Sequence, residues 1–309
     1  MDLKDFSFEQ KLQSCVACGS TDIAHKYFSP DTDWSIPGFN LDQCGSCDTT
    51  FVNPRPDSAS IVTFYNSINE RFPNHTNTSI TYYTNLNRRQ QFIQDYLAPM
   101  LVRKGGGSHF DFGAGAGWLM RLMQDVGFQT DGVDLVADNV KAGNTELGLA
   151  GLRYGDLNEI PDKTYDIFTA FSTIEHLTDP LMFARTAYAR TKHDGIVALV
   201  FPDLDSIMSQ KMGRSYYWVM SPYHLTLFTR RGIELMLRRA GFRRFQYSPI
   251  QRSWKWTYAL AHKMDTLKNY YRWREDPEFV KFDIALDNLF DEIARDAGRS
   301  SNMMILCQK

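Results

Sequence analysis

From residue 108 to residue 201, short apolar runs alternate with longer stretches in which apolar residues recur every three or four positions. The short runs predict strands near 108–113, 128–134, 152–155, 165–171 and 195–201, and the longer stretches predict helices at 117–126, 136–147 and 179–191. Strands alternating with helices of this length are joined by right-handed crossovers, so the strands should form a parallel sheet. Upstream, Asn85 opens a predicted helix to about Val102 with Leu86, Phe92, Ile93 and Leu97 on its apolar stripe, and Gly105-Gly106-Gly107 stops it. Downstream, Thr229 caps a helix that ends at Gly241-Phe242. Leu260, Met264, Leu267 and Tyr271 follow a 4-3-4 spacing, and Ile284, Leu286, Leu289 and Ile293 predict a further helix.

The first strand runs into a turn with glycine at every second position: Gly113, Gly115 and Gly117, with Ala114 and Ala116 between them. Such a turn needs positive φ, and a side chain would hold a ligand away from the amides at the helix N-terminus. The second strand ends in Asp134, about twenty residues after the first glycine, where a carboxylate can accept both hydroxyls of a ribose. Trp118 stands where a dinucleotide fingerprint would place its third glycine, and Asp111 precedes the turn. Ordinary turns of some other Rossmann-like domain are the alternative reading.

The pattern D-x-G-x-G-x-G followed by an acid ending the next strand resembles the class I S-adenosylmethionine-dependent methyltransferases. The resemblance implies that Asp111, Gly113, Ala114, Gly115, Gly117, Asp134 and Leu135 bind the cofactor. It also implies that Asp156, in Tyr154-Gly155-Asp156-Leu157, receives the adenine amino group with Leu157 beside the ring. Ser172 ends the fourth strand ahead of Glu175-His176-Leu177, which resembles the family's turn facing the substrate. The implied fold is α/β: a Rossmann-like sheet, mostly parallel, whose last strand, matched by Met303-Met304-Ile305-Leu306-Cys307, is antiparallel. Residues 251–300 are then a helical insertion between the last two strands.

Cys15-Val16-Ala17-Cys18 and Cys44-Gly45-Ser46-Cys47 are two C-x-x-C pairs with 25 residues between Cys18 and Cys44. Each pair can donate two thiolates from one tight turn, which suits tetrahedral zinc; with four protein ligands no position is open, so such a zinc is structural. Free thiols or redox pairs are the alternative, and Cys307 belongs with the core. Asn53-Pro54-Arg55-Pro56 reads as an extended linker to a short helix containing Phe64-Tyr65. Cysteine pairs, this linker, Phe-Tyr and the blocks above together resemble a zinc-ribbon subgroup from polysaccharide and antibiotic pathways that includes deoxysugar C-methyltransferases. The expected division is a zinc ribbon at 1–57, a linker and helices at 58–104, and a methyltransferase domain at 105–309 with a lid at 202–229 and a cap at 251–300.

Composition narrows the function. Apolar residues make up 43% of the 309 residues and no run approaches a membrane span, and the start has neither a basic nor an apolar leader region, so a cytoplasmic protein is expected. Net charge is −2, against a general nucleic-acid binder, but residues 1–60 carry nine acids against four bases and residues 230–274 carry twelve bases against two acids. Arg230, Arg231, Arg238, Arg239, Arg243, Arg244, Arg252 and Lys255 could grip a phosphorylated carrier or form a solvated helix face. Trp254, Trp256, Tyr270, Tyr271 and Trp273 could lie on an anionic surface or pack the cap. His176 and His224 are the candidate bases, with Tyr223 beside the second and Tyr82 and Tyr83 as further candidates to face substrate. In the sugar C-methyltransferases that the chain resembles, a histidine before the last helix abstracts a proton, which singles out His224; their large second domain has no counterpart here. The expected reaction is methyl transfer from S-adenosylmethionine to a small molecule, such as a sugar nucleotide. The alternatives are an RNA methyltransferase, for which the amino-terminal module is too acidic, and a binding protein without turnover.

Overall fold

The computed structural model describes residues 2–32, 35–67, 80–81, 83–101, 106–250 and 256–309. Tyr82, Trp254, Arg252 and Lys255 lie outside the described residues, as does most of the polar stretch before Tyr83. The amino-terminal strands β1 (Ile23–Phe28), β2 (Asn40–Cys44) and β3 (Thr50–Val52) pair antiparallel, and helix α1 (Ser58–Asn66) follows, capped by Asp57 accepting from the Ser60 amide. Helix α2 starts at Leu86–Phe92 and continues through a π-helical turn, Ile93–Leu97, to Ala98–Leu101.

The main sheet is built from β4 (Gly107–Phe112), β5 (Phe128–Asp134), β6 (Leu152–Tyr154), β7 (Tyr165–Phe171) and β8 (Thr191–Pro202), all parallel. Between them run α3 (Trp118–Asp125), α4 (Ala137–Glu146) and α5 (Pro180–Arg190), the last begun by Asp179 as cap and Pro180 in the first turn. After α6 (Ile207–Met212), the two-residue strand β9 (Thr226–Leu227) and α7 (Arg230–Ala240), strand β10 (Arg244–Ile250) leaves the sheet edge. Among the described residues three helices intervene, α8 (Trp256–Lys263), α9 (Leu267–Trp273) and α10 (Pro277–Asp296), before β11 (Asn302–Gln308) returns. Strand β11 inserts antiparallel between β8 and β10, giving the order β10-β11-β8-β7-β4-β5-β6. The strand order reverses between β4 and β7, so the crevice for a ligand opens at the carboxyl ends of these strands.

The small sheet has the order β1-β2-β3-β9, so its fourth strand comes from the stretch read as the lid. One apolar cluster runs from Cys15, Cys44, Cys47 and Phe51 to Phe110, Phe168 and Phe201 of the main sheet. The stripe read across Leu260, Met264, Leu267 and Tyr271 is broken: α8 ends at Lys263 and α9 begins at Leu267, with Asp265 at φ +55° in the turn. The apolar spacing correctly marks α10, but that helix buries Asp283, Asp287 and Asp291 and exposes Phe282, Ile284, Leu289 and Ile293. The buried carboxylates accept from Trp256 Nε1, the Thr257 amide and Tyr270 Oη, which holds the three helices together.

Candidate active site

The glycine turn closes over the end of β5. The Gly113 and Ala114 amides both donate to the Val133 carbonyl, at 2.9 and 3.0 Å, which curls the chain back between two strands. Gly113, Gly115 and Gly117 have φ of +71°, +58° and +76°. A Cβ at Gly113 would stand 2.5 Å from the Thr173 side chain, so the bend fits tightly under the β7 exit. Asp134 Oδ2 accepts from the Gly115 amide at 2.8 Å, while Oδ1 accepts from the Val136 amide at 2.9 Å and Asn139 Nδ2 at 3.2 Å. The acid predicted to end the second strand therefore touches the glycine bend itself.

Asp111 is buried beneath this turn. Thr169 Oγ1 donates to it at 2.6 Å and also contacts His109 Nε2 at 2.8 Å. Burial pushes the Asp111 carboxyl up to about 7, against the Thr169 hydrogen bond and helped by the charge of Asp134. Asp156 is exposed and caps the short turn Leu157–Glu159 by accepting from the Asn158 amide. Leu135 and Leu157 are half-buried, and the Gly155 amide donates to the Asp134 carbonyl, which ties the two strand ends together. Ser172 is exposed with φ +51°, a left-handed backbone that non-glycine residues seldom adopt.

A second cluster lies where Ile174–His176 meets the loop before β9. His176 Nδ1 is 2.6 Å from the Tyr223 carbonyl and His224 Nδ1 is 2.8 Å from the Trp218 carbonyl. A carbonyl only accepts, so both Nδ1 atoms carry a proton. The two imidazole rings are 4.8 Å apart, and Tyr223 lies 4.4 Å from His176 edge to face. Burial, with the charge of His176 next, holds His224 well below the ordinary histidine range, so it is neutral at pH 7. Glu175 is 1% exposed, and burial pushes it up to about 8. Among the described residues neither of its side-chain oxygens has a hydrogen-bond partner.

Tyr65 joins the two regions. Its ring lies 5.9 Å from Tyr223 and 6.3 Å from His176, and its hydroxyl is raised by burial, then by Tyr223, Glu175 and Asp134. Glu175 and Tyr65 were not among the residues singled out as catalytic or cofactor-binding. The signal for each was its neighbour: Glu175 precedes His176, and Tyr65 follows Phe64 after the proline-rich segment. Tyr83 points elsewhere, donating to Asp125 at 3.0 Å on α3. The Asn53–Pro56 segment is more than a linker. Arg55 is buried and donates to the Leu177 carbonyl at 2.6 Å and to Thr226 Oγ1 at 2.5 Å, clamping the histidine turn to β9. Of the arginines considered for phosphate, Arg230 pairs with buried Asp203 at 2.9 Å, Arg238 with Glu234 at 2.7 Å, and Arg239 donates to the Ala17 carbonyl at 2.6 Å.

Away from this crevice, Cys15 Sγ is 3.7 Å from Cys47 Sγ and Cys18 Sγ is 3.5 Å from Cys44 Sγ, with all four sulfurs within 4.8 Å of one another. Four sulfurs on a tetrahedron with metal–sulfur bonds near 2.3 Å stand about 3.8 Å apart, so the cluster could hold a zinc ion. Cys307 is buried in β11, as its apolar run implied.

A seven-stranded sheet with one strand returning antiparallel, and a glycine bend under the acid of the second strand, is the architecture of the class I S-adenosylmethionine-dependent methyltransferases. The profile of a methyltransferase domain family matches residues 86–246, just over half of the chain, and the chain belongs to that family. Two ubiquinone biosynthesis O-methyltransferases, from Caulobacter sp. (strain K31) and Caulobacter vibrioides, are 27% and 29% identical to it over 154 residues. These matches cover 44% of this chain and 61% of each relative, so the chain spans about three fifths of their length. The structure of Haemonchus contortus phosphoethanolamine N-methyltransferase 2, solved with phosphomonomethylethanolamine and S-adenosylhomocysteine, superposes with a TM-score of 0.51 at 16% identity. It covers 84% of this chain and 62% of that one, a likeness of fold. Among the described residues no helix is long and apolar enough to cross a membrane.

Proposed function

We propose that the chain transfers the methyl group of S-adenosylmethionine to an oxygen of a small biosynthetic intermediate, a sugar nucleotide or a related hydroxylated molecule. The observation that carries the reading is the Asp134 carboxylate held 2.8 Å from the Gly115 amide. Asp134 receives the ribose hydroxyls, Gly113, Ala114, Gly115 and Gly117 admit the ligand to the backbone, and Leu135, Asp156 and Leu157 flank the adenine. Ser172 borders the reacting methyl, and Asp111 supports the bend from below. Bound there, the cofactor supplies an electrophilic methyl on a sulfonium, which needs alignment and a dry approach more than many reacting side chains. The acceptor lies between the glycine bend and the loop carrying Tyr223 and His224, and loses its proton beside His176 and His224. Similarity to ubiquinone biosynthesis O-methyltransferases favours an oxygen acceptor.

The four cysteines hold a structural zinc, and the amino-terminal 57 residues act as a module that shapes the acceptor side. Calorimetry with S-adenosylhomocysteine tests the cofactor reading: Asp134→Ala should weaken binding at least about ten-fold, about 1.4 kcal/mol. Unchanged affinity would overturn the assignment. Labelled methyl transfer should mark hydroxylated small molecules; label on RNA alone would overturn the acceptor class.

A further inference from the structure

We propose that Glu175, His176 and His224 hold a divalent transition-metal ion of the zinc class, to which the acceptor oxygen binds as it loses its proton. The inference rests on the methyl-transfer reading of the same cluster. The three residues offer ligand atoms that all lie within 4.8 Å of one another, and His176 Nε2 is 3.8 Å from Glu175 Oε1.

The histidines are prepared as metal ligands are. In each, the Nδ1 proton is donated to a backbone carbonyl, Tyr223 for His176 and Trp218 for His224, which leaves Nε2 as the ligand atom and fixes the ring. Glu175 supplies the second, independent sign. Its carboxyl group is 1% exposed and neither oxygen has a hydrogen-bond partner among the described residues, so a cation between the three residues would satisfy oxygens that the protein leaves unmatched.

The donor set selects the ion. Two imidazoles and one carboxylate suit zinc, iron or nickel, whereas magnesium and calcium take mostly oxygen. Three protein ligands leave a coordination position open, the mark of a catalytic rather than a structural site, in contrast to the four cysteines. Of the three side chains His176 is the most open, at 11% exposed, and it marks the side from which an acceptor would approach. The ligands come from two segments that are tied independently of any ion: the Leu225 amide donates to the Glu175 carbonyl at 2.8 Å.

The chemistry balances without an oxidant or reductant. The acceptor O–H bond breaks, its proton passes to water, and the electron pair stays on the metal-bound oxygen. That oxygen forms a bond to the methyl carbon, and the carbon–sulfur bond breaks with its pair going to sulfur, leaving a neutral thioether.

The test counts metal in the full-length chain after dialysis against low-micromolar Zn²⁺. Wild type should retain about two ions per chain, and Glu175→Gln and His224→Asn about one each. Cobalt added to protein whose cysteine site already holds zinc should give weak visible bands with no sulfur-to-cobalt charge transfer, and Glu175→Gln should abolish them. S-adenosylhomocysteine affinity, read in parallel, should be kept in both variants; if Glu175→Gln loses it through misfolding, His224→Asn decides by the same count. A single ion in wild type, or two in a folded variant, overturns the proposal. Two ions with no S-adenosylhomocysteine binding would leave the metal site standing and overturn the methyl-transfer reading instead.

Discussion

At Gly117 the backbone has φ +76° and an added Cβ would lie 2.2 Å from Leu149 Cδ1, so geometry and space both require glycine. Gly117→Ala should cost about 2–4 kcal/mol, the sum of a left-handed backbone and an overpacked neighbour, read as a lower urea midpoint at unchanged slope. Asp111 carries a pH dependence. Its carboxyl ionises near 4 in the unfolded chain, as ordinary aspartates do, and near 7 in the folded one, chiefly through burial. Between those values the folded state keeps a proton that the unfolded state has released, so stability falls as pH rises through that window. Asp111→Asn retains an acceptor for Thr169 and removes the titration. Relative to this variant, wild type should lose stability from pH 4 to pH 7, up to about 1.4 kcal/mol per unit; parallel profiles would contradict the buried carboxyl. The acid's importance was legible from its place before the glycines, but its protonation was not, because burial is a property of the packed sheet.

Elements show where sequence spacing stops being informative. The C-x-x-C pairs announce their own cluster, yet nothing local says that β3 will take β9 as its next strand, with residues Thr50 and Phe51 against Leu227 and Thr226. That pairing, the Thr229 hydroxyl donating to the Cys47 carbonyl at 2.6 Å, and the Ile36 amide donating to the Ser221 carbonyl at 2.8 Å fasten the His224 loop to the cysteine module. Cys44→Ser should therefore release zinc, lower the melting temperature and slow methyl transfer at least about ten-fold, about 1.4 kcal/mol in the barrier. Affinity for S-adenosylhomocysteine should survive, since the glycine bend lies on the main sheet. Equal loss of both would mean that the module supports the whole fold rather than the loop. Helix α10 makes the same point in reverse: its apolar period is genuine, but the aspartates go inward because Trp256, Thr257 and Tyr270 offer donors there.

For the molecule as a whole, completion waits on a short terminal strand. Strand β11 pairs with Val197 through Pro202 on one side and with Arg244 through Ile250 on the other. Deleting residues 302–309 should leave two unpaired edges around the core and yield an insoluble chain without cooperative melting, measured by sedimentation and circular dichroism. A soluble, cooperatively folded product would show that the sheet closes without it. The uneven charge also resolves at this scale: Arg239 of the basic stretch reaches the Ala17 carbonyl of the acidic module, so the two ends of opposite sign meet each other.

What the sequence determined by itself was whatever depends on neighbours a few residues away: the strand and helix periods between 108 and 201, the glycines that a bend of positive φ needs, the acid at the end of the second strand, and the two cysteine pairs. Only the tertiary structure decided which distant segments share a surface. It joined Tyr65, Glu175 and His224 into one cluster, turned Arg55 from a linker residue into a clamp, and put α10's carboxylates inside. Periodicity reports which side of an element differs from the other; what that side meets is fixed by packing between parts of the chain that hold no information about each other until they touch.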